Sequence, residues 1–165
     1  MKNTHPLHLN LRKVVSCLSG VLAPAEIQKI NDELFRNVRQ GLRLSEDHLR
    51  FALAAATQGA ASWRHIVSRG YYCCYCASRA IRLGKTGVFS TEVEDHKKIG
   101  DFPDGFPDRD KWADILTKFR ADRNLADYDH TAGPGELEYS ADQYLKYAED
   151  FVKVVKAYLH NEGFI

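Results

Sequence analysis

A chain of 165 residues is long enough to bury one sizeable core and short for two. With 44% hydrophobic and 27% charged residues it reads as a soluble globular protein, and its apolar stretches fall far short of a membrane span. Lys plus Arg number 23 against 22 Asp plus Glu, so no overall basic field announces nucleic acid, although a local positive cleft stays open.

At the N-terminus, Lys2 and Arg12 flank a segment in which His5, Pro6 and Asn10 interrupt any apolar signal region, so a cytoplasmic location is the default. A short helix is expected over Leu11 to Leu18. Pro24 suits a first helical turn, and Ile27, Ile30, Leu34 and Val38 then line one face up to Gln40, with Gly41 as the expected stop. Ser45 reads as the cap of a new helix. Glu46 and Asp47 suit its positive end, Leu49, Ala52, Leu53 and Ala56 follow, and Gly59 closes it.

Ser62 to about Leu83 is the strongest helical pattern. Trp63, Ile66, Val67, Gly70, Tyr71, Cys74, Ala77, Ser78 and Ile81 repeat at near-heptad spacing, and Tyr72, Cys73, Cys76 and Ala80 form a second set beside them. So wide a surface of small and aromatic residues predicts a helix packed on more than one side. Gly84 and Gly87 end it. The three cysteines in this run, with Cys17 remote, lack zinc-site spacing and read as small packing residues; disulfides are not expected in a cytosolic chain.

Ser90 to Ile99 suggests one short helix, and Asp101 to Asp110 is a loop by its Pro and Gly content. The next helix is read from Lys111 to His130, and Gly133, Pro134 and Gly135 stop it. Ser140 and Gln143 have capping-box spacing before a last helix carrying Tyr144, Tyr147, Phe151, Val154, Val155, Tyr158 and Leu159. No β-alternation of useful length and no internal repeat is present. The expected fold is all-α: an antiparallel up-down four-helix bundle over residues 44–165, with an N-terminal helical extension over 1–43.

The most informative residue is Arg123. Trp112, Ile115, Leu116 and Phe119 mark an apolar face whose continuation reaches Arg123, Ala126 and His130. A buried charge needs a partner, which points to a polar cleft or a second subunit. Seven residues turn a helix by about 700°, so a helix persisting to His130 would aim both side chains the same way, about 10 Å apart. Asp127, four residues on, can hold the guanidinium. An Arg and a His on one face suit phosphodiester cleavage: one stabilises a pentavalent phosphate, the other moves protons. The same spacing also suits an Arg–Asp pair followed by a His at the negative helix end.

Three stretches read together resemble the HEPN domain, a nucleotide-binding four-helix bundle. They are Ser68 to Gly84 with its Tyr-Tyr pair and small residues, Glu94 to Phe102 with its His-Lys-Gly-type connector, and Phe119 to His130 with its Arg-x-x-Ala-Asp-Tyr end. The likeness covers about Leu44 to Leu159. It implies a metal-independent endoribonuclease, in which a ribose 2′-OH attacks the adjacent phosphate to leave a cyclic phosphate. The family's motif is an Arg, four to six residues, then a His; Arg123 and His130 match at the long end, and Asn124 matches the polar residue that often follows the Arg. The resemblance further implies a composite site between two protomers, hence a homodimer, and a toxin or defence role.

Toxin members paired with a minimal nucleotidyltransferase place the His before a Tyr, whereas here Tyr128 precedes His130. On the shorter spacing Tyr128 takes the His position and becomes a candidate for nucleotidylation by such an antitoxin partner. Tyr71 and Tyr72 are candidates for base stacking or core packing, Arg79 for a phosphate or a carboxylate, and His96 for the cleft or a cap. No metal-ligand grouping is evident, and neither a metal nor a cofactor is expected. The competing functions are a non-catalytic module that binds a nucleotide or a nucleotidyltransferase, and a purely structural helical dimer.

Overall fold

The computed structural model describes residues 10–59, 62–89 and 93–165. The expected N-terminal features at Lys2, His5 and Pro6, and the first residues of the segment read as Ser90 to Ile99, lie outside the described residues. What is described is all-helical: α1 (Leu11–Leu18), α2 (Pro24–Ala56), α3 (Trp63–Thr86), α4 (Arg109–Tyr128) and α5 (Ala141–Asn161), with 3₁₀ helices at Val93–Lys98 and Pro134–Glu136. No described helix is long and apolar enough to cross a membrane.

Gly41 does not stop α2, which runs unbroken from Pro24 to Ala56. A glycine stops a helix only where the chain needs its conformational freedom. Here it serves a close approach instead: a Cβ at position 41 would lie 3.5 Å from the Ala80 Cβ of α3. The same helix therefore passes straight through residue 43, and Ser45, read as a cap, is buried mid-helix with its hydroxyl donating to the Cys73 carbonyl at 2.8 Å. Gly84 likewise lies within α3, where it leaves room for the Phe164 ring, and Gly87 in the left-handed region (φ 68°) makes the cap. The predicted Ser140–Gln143 capping box is present: Gln143 Oε1 accepts from the Ser140 N–H at 2.9 Å, and the Ser140 hydroxyl accepts from the Gln143 N–H at 3.3 Å.

The centre of the molecule is α3. It is buried on several sides, from Ile66 and Val67 through Tyr71, Cys73, Cys74, Ala77 and Ile81 to Gly84, and it packs against α2, α4 and α5. Burying a Leu, Ile or Phe contributes about 1.5–3 kcal/mol, so this one helix organises much of the core. Its neighbours' directions follow from paired residues. Gly41 meets Ala80 while His48 meets Tyr72, so α2 runs antiparallel to α3. Arg64 reaches Leu125 and Ala126 while Tyr72 meets Arg123, so α4 does the same. Gly70 faces Tyr144 and Gly84 faces Phe164, so α5 runs parallel with α3.

The cysteines of α3 are packing residues: all three are buried, and burial pushes the Cys76 thiol up to about 11 and Cys74 well above its usual range.

Candidate functional site

Two devices end α4 at Tyr128. The Arg64 guanidinium of α3 donates to the carbonyls of Leu125 (3.2 Å), Ala126 (2.7 Å) and Ala132 (2.8 Å), so it takes up the Ala126 acceptor that a longer helix would give to residue 130 and ties the following turn to α3. Asp129 is already extended (φ −97°, ψ 105°), and its Oδ1 accepts from the Thr131 N–H and hydroxyl and from the Ala132 N–H, which folds the chain into a turn. The helix therefore stops two residues short of His130. Alignment of His130 with Arg123 two turns apart would require helix through residue 130, and there is none. His130 is exposed, and no hydrogen bond or ion pair joins it to Arg123 among the described residues.

Arg123 instead meets the tyrosines of α3. Its Nη2 donates to the Tyr72 hydroxyl at 2.5 Å, Nη1 donates to Asn124 Oδ1 at 3.2 Å, and Nε sits 2.7 Å from Asp127 Oδ2. The last contact is ionic only, since that N–H is not aimed for a hydrogen bond. The guanidinium also lies 5.6, 5.2 and 4.9 Å from the ring centres of Tyr71, Tyr72 and Tyr128, within cation–π reach of all three. Its side chain is 13% exposed. Burial works against the charge, but Tyr72 and Asp127 more than offset it and raise the pKa further.

His96, from the 3₁₀ segment, completes the group. Its ring stacks on Tyr75 with centroids 4.2 Å apart, and Nδ1 is 2.7 Å from the buried Tyr71 hydroxyl. Burial, then the nearby Arg123 charge, lower its pKa against the opposing pull of Asp95, so the ring is neutral at neutral pH. Burial also raises the Tyr71 pKa, so its hydroxyl keeps its proton.

The structure thus gathers Arg123, Asn124, Asp127, Tyr128, Tyr71, Tyr72 and His96, and leaves His130 outside. Arg79 belongs to a neighbouring cluster. It lies over the Tyr75 and Phe89 rings and 3.6 Å from Asp95, whose carboxylate is held by both Arg82 Nη atoms (3.0 and 2.9 Å) and the Tyr75 hydroxyl (2.9 Å). Burial opposes the charge of Asp95, but Arg82 and Tyr75 outweigh it and hold its carboxyl below the usual range.

Arg120 went unread in the sequence. It stands one turn before Arg123, its charge acts on both Tyr71 and His96, and no ion pair engages it among the described residues. Its spacing of three before Arg123 was the available signal. The Asp129–Thr131 turn was also legible, as an Asp two residues before a Thr and just ahead of Gly133 and Pro134. Three or more His, Cys, Asp or Glu side chains do not converge on a common point among the described residues. Comparison with family models, with curated proteins and with solved structures finds no match.

Proposed function

We propose that the chain is a HEPN-like, metal-independent endoribonuclease built on an antiparallel four-helix bundle of α2 to α5. The observation that carries this reading is the grouping of a fixed cation, Arg123, and a neutral imidazole, His96, around the same pair of tyrosines. With Nδ1–H donated to the Tyr71 oxygen, His96 Nε2 keeps a lone pair. It takes the proton of a ribose 2′-OH; the 2′ oxygen bonds to the adjacent phosphorus, the bond to the 5′ oxygen breaks, and the imidazolium returns its proton to that leaving oxygen. Products are a 2′,3′-cyclic phosphate and a 5′-hydroxyl. Both Nη atoms of Arg123 retain an N–H beyond those given to Tyr72 and Asn124, and these, with Arg120, face the charge that builds on the phosphate.

The purified protein should cut RNA in EDTA, and Arg123→Ala should abolish cutting while the fold persists. The two histidines are separated by variants. Loss with His96→Ala and not with His130→Ala marks a site within one chain. The reverse marks a composite site in a homodimer, with the exposed His130 supplied by a second copy. Cutting by Arg123→Ala at the wild-type rate would sink the proposal in both forms.

A second reading has its own support. Tyr128 is 67% exposed, among the most exposed large hydrophobic residues described, so its hydroxyl is open to nucleotidylation. In that case the chain is a binding module, or a toxin silenced by a nucleotidyltransferase antitoxin in the cytoplasm. A mass increase of one nucleotide on Tyr128, after incubation with such an enzyme and ATP, would select it.

A further inference from the structure

The Arg123 cluster does not end at Tyr72. His48 of α2 stacks on that ring at 5.7 Å between centroids and 29° between planes. His48 Nδ1 lies 3.5 Å from Arg69 Nη1, and the Arg69 guanidinium lies 5.9 Å from the Phe51 ring. Followed in order, Phe51, Arg69, His48, Tyr72, Arg123 and Tyr128 form a line of four rings with two guanidinium groups set among them, across α2, α3 and α4. Its two ends are exposed aromatics, Phe51 at 63% and Tyr128 as given above. Leu44 extends the α2 portion, since residues 44, 48 and 51 share a helical face.

The charge on this line has one sign that is free. Arg69 is exposed and touches a histidine and a phenylalanine, with no carboxylate paired to it among the described residues. Asp47, the carboxylate whose charge is felt at His48, is taken up by Arg50. Self-association over this face would bury Arg69 without a counter-ion, at a desolvation cost that an anionic partner would remove. Flat π-faces beside an unpaired cation fit a single strand, whose bases can stack while a phosphate meets the charge.

We propose that this line is the binding track for a single-stranded RNA, with bases stacked on Phe51 and Tyr128 and a phosphate held by Arg69. It rests on the ribonuclease reading only in naming RNA as the ligand, and it carries the strand away from Arg123 and His96 toward α2. Duplex RNA is disfavoured, because its bases are already stacked on each other.

The test is fluorescence anisotropy with a labelled, uracil-rich 2′-O-methyl RNA single strand, which can bind but has no 2′-OH to attack phosphorus. Phe51→Ala should weaken binding between about fivefold and a hundredfold, the range for losing one base stack. Arg69→Ala should weaken it and flatten the salt dependence by about 0.7 in the log–log slope, one phosphate contact on a single strand. Arg36→Ala, an exposed α2 residue paired with Glu33, should change nothing. The same strand in a duplex should bind more weakly. Wild-type affinity in both Phe51→Ala and Arg69→Ala overturns the track, as does failure of the wild-type protein to bind. So does a dimer that Phe51→Ala dissociates while oligonucleotide binding is unchanged. Binding along the track with no cutting of unmodified RNA would refute the ribonuclease proposal and leave the track standing.

Discussion

Arg82 and Arg123 each pair with a carboxylate beside a tyrosine of α3, yet the two arrangements differ in what they leave open. Asp95 is 4% exposed and takes two parallel hydrogen bonds from Arg82 and a third from Tyr75, so little of its acceptor capacity remains unused. Asp127 touches Arg123 through a single ionic contact, while the guanidinium leans over an exposed Tyr128. The first cluster closes a charge off from water by saturating it. The second holds a cation in place with rings and one carboxylate, and each Nη gives only one hydrogen bond. Saturation suits a structural role, and partial satisfaction suits binding an anion.

The largest effect should come from breaking the saturated pair. Arg82→Ala strands a buried carboxylate, and the fold should lose about 3 kcal/mol in urea unfolding, with Arg79 limiting the damage. The pH dependence has a definite sign. The folded-state pKa of Asp95 is depressed, so its contribution is fully present above the unfolded value of about 3.9 and is lost as pH falls through the folded value. The deficit of Arg82→Ala should therefore shrink below about pH 4. Asp122 titrates with the opposite sign, because burial raises its pKa despite hydrogen bonds from Tyr144 and the Glu138 N–H. It is common to both proteins and cancels in the difference. A deficit that stays constant down to pH 2, a value well below any ordinary carboxyl range, would show that Arg82 supports the fold by packing alone.

Arg123→Ala is the sharper half of the comparison. Its carboxylate partner remains partly wet, so the loss of stability should be about 1 kcal/mol, well below that of Arg82→Ala. A loss as large as that of Arg82→Ala would make Arg123 another structural cation and remove the distinction between the two clusters.

The sequence shows the helices and hides the reasons some of them start and stop. Periodicity places α1, α3, α5 and most of α4, and it identifies α3 as buried on more than one side. It misplaces the break at Gly41, because glycine in a sequence does not tell a stop from a close helix crossing; that is decided by Ala80, far along the chain. The site divides in the same way. Arg123, Asp127, Tyr71 and Tyr72 are legible from spacing, since they interact within a helix or across the contact its face predicts. His96 joins them through an irregular segment with no period to extrapolate. His130 is lost because Arg64, more than sixty residues upstream, caps the helix that was expected to carry it.

The smallest effect belongs to His130. It is exposed, lies in a turn held by Asp129 and not by its own ring, and donates to nothing among the described residues. His130→Ala should leave the unfolding free energy within about 0.5 kcal/mol of wild type. The measurement should be repeated over a range of protein concentrations, because a monomer's stability does not depend on concentration and a dimer's does. A wild-type stability that rises with concentration, and a His130→Ala variant that loses that rise, would place His130 in a subunit interface. Arg123 would then meet its histidine from the neighbouring chain, and the boundary between the closed and open clusters would have to be redrawn for the dimer.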